Sequence, residues 1–340
     1  MECKISNYQE SLKNPLKITS LKFDLRFADQ EDLKEAKVDF NSLDVFENVK
    51  KIALVQLKLR KFPSCIGNLK KLTEIDLTYS KFDLTEALQT LATVKSLKKI
   101  KLAEVNRGIK NIPSEIKYLR HVDSIDFSFN ELTELPQEMS ALKCSQLIFD
   151  RNNFKNFPLA LTQMSGLKKL DISGCKIKDI PKEISSLKEL TRLGLGGNKI
   201  KSLPAELFDL GNLEELNLER NNIQRLPEDI KKLTKLTDIS LFINKISTIP
   251  GGLFKLYELE RLSLGHNKIG TIPDIGNLSK LVSLNVDGCQ LKSIPTEIQK
   301  LKNLKILSAE KNPFEQSEAE IRSYLPEKIR FTFSVPDNQE

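Results

Sequence analysis

Leu213-Glu214-Glu215-Leu216-Asn217-Leu218-Glu219-Arg220-Asn221-Asn222-Ile223-Gln224-Arg225-Leu226-Pro227 is the stretch on which the reading of the whole chain turns. Leu213, Leu216 and Leu218 alternate with Glu215, Asn217 and Glu219, and Ile223 and Leu226 continue the apolar side. A period of two over 215–219 predicts a short β-strand with its leucines pointing inward and its polar residues pointing out. Pro227 has no backbone N–H to offer a continuing strand, so it closes the unit.

The same closing proline follows an apolar residue at Pro63, Pro113, Pro136, Pro158, Pro181, Pro204, Pro227, Pro250, Pro273 and Pro295, and from Pro113 onward the spacing is 22 or 23 residues. A unit this short cannot enclose its own apolar face. Neighbours must stack, with their strands side by side about 4.8 Å apart. Leu-x-x-Leu-x-Leu-x-x-Asn at this period is the pattern of leucine-rich repeats. The predicted fold class is α/β: a right-handed leucine-rich-repeat solenoid, or horseshoe, with a concave parallel β-sheet and short 3-10 or α segments on the convex side. Residues 1–48 are expected to form an N-terminal cap with an inserted helix. Residues 49–313 carry about 11–12 repeats, and residues 314–340 form a C-terminal cap of helix, strand and polar tail.

Asn130, Asn152, Asn198, Asn221, Asn244, Asn267 and Asn312 recur where the chain leaves each strand. An inward amide there can satisfy backbone groups that water cannot reach. Cys175 and Cys289 stand in the same column, and a thiol is a weaker donor that still fits. Leu57, Ser80 and Val105 break the column in the early repeats, and the unit around Phe82 to Val94 lacks the closing proline signal. Apolar Ala87, Leu88, Leu91 and Val94 predict a helix over 85–94.

Before the first good repeat strand at Val49, Ile52 and Leu54, the pattern suggests a turn or short helix with Tyr8 and Leu12, a strand with Ile18, Leu21 and Phe23, and a short helix within 28–37. At the other end, Ser317-Glu318-Ala319-Glu320 is a capping box that starts a helix running to about Leu325, and Pro326 stops it. Ile329, Phe331 and Phe333 alternate as a last strand.

The net charge of +7 comes from 53 basic residues interleaved with 46 acidic ones. That balance reads as a solvated lysine-rich surface rather than a phosphate-binding stripe, so no nucleic-acid partner is expected. No apolar run approaches the 18 or so residues that cross a bilayer. Cys3, Cys65, Cys144, Cys175 and Cys289 are far apart in sequence, and distant repeats do not touch, so no disulfide framework is expected. Only His121 and His266 are present, and the zinc-hydrolase and phosphate-loop motifs are missing. Gly194, Gly196 and Gly197 fit strand-face glycines better than a phosphate loop. The reading is therefore no enzyme, no cofactor and no metal.

Tyr8, Leu12, Asn14-Pro15, the Ile18 to Phe23 strand, the Ile-Pro-x-x-Ile-x-x-Leu repeats and Asn312-Pro313-Phe314 together resemble the bacterial leucine-rich-repeat proteins of pathogenic spirochaetes, the leptospiral type. The repeat is shared with plant and animal Ras-group scaffolds, so the two ends carry the bacterial likeness. The insertion between Phe23 and Val49 and the imperfect early repeats depart from it. The resemblance implies a non-enzymatic protein, often exported or surface-associated, that binds other proteins, in several cases host molecules. It favours a secreted or surface-associated location, with a cytoplasmic one as the alternative. A lipid anchor on Cys3 would fit if residues upstream of it were removed, and a chance cysteine is the other reading.

The outward positions of the sheet are mostly polar, but Tyr79, Phe129, Ile148, Phe242 and Ile243 are large and apolar. Bulky residues on a recognition face are hot-spot candidates. Phe129 and Ile148 group with Arg151, and Phe242 and Ile243 with Arg220 and His266. The glycines between the groups are expected to leave bare backbone open to a partner. The primary reading is a protein- or peptide-binding module that acts as a monomer. The alternatives are an intracellular scaffold of the Ras-group type and a glycan or cell-wall binder, the latter weakened by the lack of tryptophan.

Overall fold

The computed structural model describes residues 1–26, 28–326 and 328–336, so the tail expected to follow Pro336 lies outside the described residues. The chain forms two compact units: Met1–Phe154 with Ala160–Leu167, and Lys155–Leu159 with Lys168–Glu340.

The first unit holds strands β1 to β7 (Glu2–Lys4, Ser20–Asp24, Lys51–Val55, Glu74–Asp76, Lys99–Lys101, Ser124–Asp126 and Gln146–Ile148), each paired in parallel with the next. The second holds β8 to β15 (Lys169–Asp171, Arg192–Gly194, Glu215–Asn217, Asp238–Ser240, Arg261–Ser263, Ser283–Asn285, Ile306–Ala309 and Arg330–Phe333), likewise parallel in chain order. The fold is an open leucine-rich-repeat solenoid in which short 3-10 turns return the chain from each strand to the next. The strands read from Ile18 to Phe23 and from Ile329 to Phe333 are present. β1 was not anticipated, because it precedes the first repeat and so lacks the period that marks the other three-residue strands.

Among the described residues, four short helices accompany the strands: α1 (Tyr8–Leu12), α2 (Gln30–Glu35), α3 (Leu84–Thr93) and α4 (Glu318–Arg322). α2 is capped by Asp29, whose carboxylate accepts from the N–H groups of Glu31 and Asp32. α3 replaces a 3-10 return and buries Leu84, Ala87, Leu88 and Leu91. In α4 the Ser317–Glu320 capping box is formed, but the helix ends at Arg322, short of the expected Leu325.

Burial follows the pattern of the opening stretch: Leu213, Leu218 and Ile223 are fully enclosed, with Leu216 and Leu226 nearly so. Each leucine packs on its equivalent one repeat away, as in the register Leu193–Leu216–Ile239–Leu262. The closing prolines hold an extended backbone (Pro204 φ −69°, ψ 150°) that feeds directly into a 3-10 turn such as Ala205–Asp209.

The asparagine column joins each repeat to the one before it. Asn221 Oδ1 accepts from Ile200 N at 3.0 Å, and its Nδ2 donates to Leu195 O at 2.9 Å and to Leu218 O at 3.1 Å. Asn130, Asn152, Asn198, Asn244, Asn267 and Asn312 make the same two-way connection. Where the column breaks, other residues substitute. Ser80 Oγ accepts from Leu57 N and donates to Leu54 O, and Asn106, one place beyond Val105, bonds both backbone groups of Phe82. The Cys289 thiol donates to Leu264 O at 3.2 Å.

All five cysteines are free and buried. Cys3 is fully enclosed within β1, and in the same unit the rings of Tyr8, Phe23 and Phe46 meet edge to face at 5.9 and 6.1 Å. Burial pushes the thiols of Cys144 and Cys289 up to about 12 and raises those of Cys3 and Cys65.

Asn221→Ala leaves an N–H and three carbonyls without their shared partner and should cost roughly 2–3 kcal/mol in urea unfolding. Asn222→Ala, whose side chain is half-buried, should stay within about 0.5 kcal/mol. The native chain should resist iodoacetamide at pH 8 and take up the label at all five cysteines only once denatured.

Candidate functional site

The outward side chains that matter most share one backbone feature. The residue just before each ladder position has a left-handed conformation: Tyr79, Glu104, Phe129 and Arg151 in the first unit at φ 60°, 47°, 56° and 55°, and Arg220, Ile243 and His266 in the second at 50°, 53° and 57°. Gly174, Gly197 and Gly288 occupy the same place. Apart from Arg151, each N–H named here donates to the next repeat, as Phe129 N does to Asp150 O at 2.8 Å and Ile243 N to Gly265 O at 2.8 Å. This bond turns the chain out of the strand while extending the inter-repeat ladder, and it overrides the ordinary aversion of L-residues to positive φ.

In the first unit Tyr79 and Phe129 are 42% and 43% exposed, large values for aromatic side chains on an ordered sheet. The Arg151 guanidinium lies 4.8 Å from the Phe129 ring centroid, a distance at which the ring face attracts a cation. Ile148 is half-buried in β7 and sits opposite Asp126 in the register. Beneath this surface Phe127 and Phe149 stack at 5.6 Å.

The second unit is built differently. Phe242 and Ile243 are half-buried rather than projecting into water. The Phe242 ring meets His266 edge to face at 5.1 Å, and it lies against Gly265, where an added Cβ would stand 2.9 Å from Phe242 Cδ2. Gly288 gives the His266 ring the same clearance. Arg220 is exposed and joins this group through its N–H to Phe242 O at 2.7 Å.

The bare backbone expected at the glycine cluster is covered at Gly194 and Gly196, while Gly197 is exposed and faces only the Gly174 backbone. A Cβ on Gly194 would fall 2.6 Å from Asp171 Oδ1, and one on Gly196 would fall 3.0 Å from Glu219 Cγ. Neighbouring side chains already roof Gly194 and Gly196, so the missing side chains make room for this chain's own residues.

Charge on the face is largely self-compensated. Arg192 pairs with Glu215 at 2.8 Å, Arg261 with Asp238, Lys51 with Glu74 at 3.2 Å and Lys101 with Asp76 at 3.7 Å. His121 lies off the face with Nε2 2.9 Å from Val94 O, and burial lowers its pKa. No group of His, Cys, Asp and Glu among the described residues could hold a metal ion. A cavity of about 830 Å³ lies between the first residues and α2, lined by Lys4, Tyr8, Lys22, Asp24, Asp32 and Glu35. Asp24 is held below the usual carboxylate range by its ion pair with Arg26, and Asp32 caps α2.

Glu104 was overlooked in the sequence. It stands between Tyr79 and Phe129 in the left-handed column, but Val105 interrupts the ladder that would have marked its place. The signal was available by counting one position back from each ladder residue, where Gly174, Gly197 and Gly288 already betray a positive φ.

The family model for the leucine-rich repeat region matches residues 152–268. The chain is similar to a Leptospira interrogans LRR protein at 26% identity, over 98% of this chain and 100% of that one, with a TM-score of 0.68. It also shares its fold with the plant peptide hormone receptor RGFR1 in complex with RGF2 (20% identity, 94% of this chain and 67% of that one, TM-score 0.59). A third likeness is to the TLR13–ssRNA13 complex (20%, 90% and 53%, TM-score 0.67). No curated protein matches the sequence.

Ile243 is β-branched at φ 53°, so Ile243→Gly should raise stability by about 1 kcal/mol, visible as a higher melting temperature. No change on melting would mean that the side chain's packing offsets the backbone strain.

Proposed function

We propose that this leucine-rich-repeat protein is a non-enzymatic binding module that recognises a protein or peptide through the open face of its sheet, at Tyr79, Phe129, Ile148 and Arg151 in the first unit and Arg220, Phe242, Ile243 and His266 in the second. The observation that carries the reading is the exposure of Tyr79 and Phe129 on a face where Arg192 and Arg261 are ion-paired and Phe242 packs against His266. Folding alone gives no reason to hold aromatic rings in water at strained backbone positions, whereas a partner that desolvates them would.

The internal ion pairs on the face favour a protein partner over RNA, since a nucleic-acid footprint needs uncompensated cations in a row. A surface-exposed or secreted, host-interacting role is the finer form of this reading and rests on the likeness to the leptospiral protein. The intracellular scaffold uses the same surface and differs only in where its partner is found.

The test is capture of partners by the immobilised protein from host extracellular proteins and from its own cell lysate, alongside a Phe129→Asp, Phe242→Asp variant whose melting temperature is first measured. The variant should lose at least tenfold in affinity for a captured protein, as expected for central aromatic anchors, while its melting temperature stays within a few degrees. Equal capture by both proteins would move the site off this face, and capture only from the lysate would favour the scaffold.

A further inference from the structure

The first unit contains a slot whose chemistry specifies one kind of partner group. β4, β5 and β6 are consecutive neighbours in register, and the left-handed residues beyond them are Tyr79, Glu104 and Phe129. Backbone bonds fix their order: Tyr79 N donates to Ala103 O at 2.9 Å, and Glu104 N donates to Ser128 O at 3.1 Å. Glu104 therefore sits between two exposed aromatic rings that belong to strands two steps apart, roughly 9–10 Å at the strand spacing.

The floor of the slot is small, made by Ala103 and Ser128, both buried. The Glu104 carboxylate is half-buried and has no ion pair or hydrogen bond among the described residues, unlike the acids of the neighbouring strands. Asp126, at the edge of the slot, accepts only the Ser128 N–H at 2.8 Å and is not ion-paired. The outer side of Phe129 already carries the chain's own guanidinium, Arg151 at 4.8 Å. The ring is thus presented as a cation acceptor, and it is 43% exposed.

We infer that this slot takes a basic side chain, arginine before lysine, from the bound protein or peptide, with the cation between Tyr79 and Phe129 and its charge on Glu104. This rests on the protein-binding reading and names the partner's chemistry. At the strand spacing, the middle of the slot stands about 5 Å along the sheet from either aromatic position, a scale within the range of about 6 Å over which an aromatic face attracts a cation. A planar guanidinium also offers paired N–H donors to a carboxylate, which a lysine ammonium cannot match. A free carboxylate confined between two hydrophobic rings gains more from such a partner than an open one, because the rings exclude the water that would screen it. Glu104 also carries the cost of its left-handed backbone, which any glycine would avoid; a residue kept there for its carboxylate explains the choice.

The probe is the peptide acetyl-Gly-Gly-Arg-Gly-Gly-amide, with citrulline replacing arginine as a neutral isostere, titrated calorimetrically into the full chain. The arginine peptide should bind at least about fivefold more tightly than the citrulline peptide, and Glu104→Gln should remove that preference. Glu104→Gly should melt higher than the wild type and yet bind the arginine peptide more weakly, a combination that a purely structural role for Glu104 would not produce. Equal affinity for the two peptides, or an arginine preference that survives Glu104→Gln, overturns the slot. Tyr257→Ala, an exposed substitution outside the named binding residues, should leave arginine-peptide affinity unchanged. Loss of partner capture in Phe242→Asp beside an arginine peptide indifferent to Glu104 overturns the slot alone. An arginine peptide held at Glu104 with no protein captured by the wild type supports the slot and overturns the reading it rests on.

Discussion

Every repeat must turn its backbone inward on leaving the strand, and the polar groups exposed by that turn end up where water cannot follow. The buried amide of the ladder residue resolves this by accepting an N–H from the preceding repeat and donating to carbonyls of both. A buried N–H or carbonyl left alone costs on the order of 1–3 kcal/mol, comparable to the total margin that a single short unit could supply. Stacking is therefore obligatory on two counts: it covers the leucines, and it completes the hydrogen bonding of the turn.

The same turn creates the face used for recognition. Since the residue before the ladder is held left-handed by a bond from its N–H to the next repeat, its side chain is presented at a fixed place whatever its type. The scaffold consequently tolerates tyrosine, glutamate, phenylalanine, arginine, isoleucine and histidine in one column. The strain at each site is over-determined by its neighbours, and strain of this kind collects where function needs it. Phe242 and His266 lean on Gly265 and Gly288 and form a packed platform, whereas Tyr79 and Phe129 are exposed. The two units thus offer different surfaces from the same repeat chemistry.

Much of this could be read from the residues. The inward leucines, the asparagine column, the helix that replaces a return at Leu84–Thr93 and the capping box at Ser317 are local patterns, and each is enforced by contacts one repeat away. Ser80 was visible as a break in the column but not as its replacement, because a hydroxyl that both accepts and donates is recognisable only once Leu57 and Leu54 lie beside it. That Cys3 is fully buried within β1 was not visible in the residues around it. Gly194 and Gly196 looked bare because sequence cannot say which neighbour leans over them.

The sequence by itself determined the period, the parallel stacking and the division of each repeat into a buried and an open side, since alternation and proline spacing act over a few residues and leave one way to bury the leucines. Only the tertiary structure decided which open residues are free for a partner. Exposure on this face depends on side chains one repeat away, as Asp171 over Gly194, Phe242 over Gly265 and Arg151 against Phe129 demonstrate. That relation joins residues about 20 or more positions apart through backbone register, a distance over which no local pattern in the chain carries information.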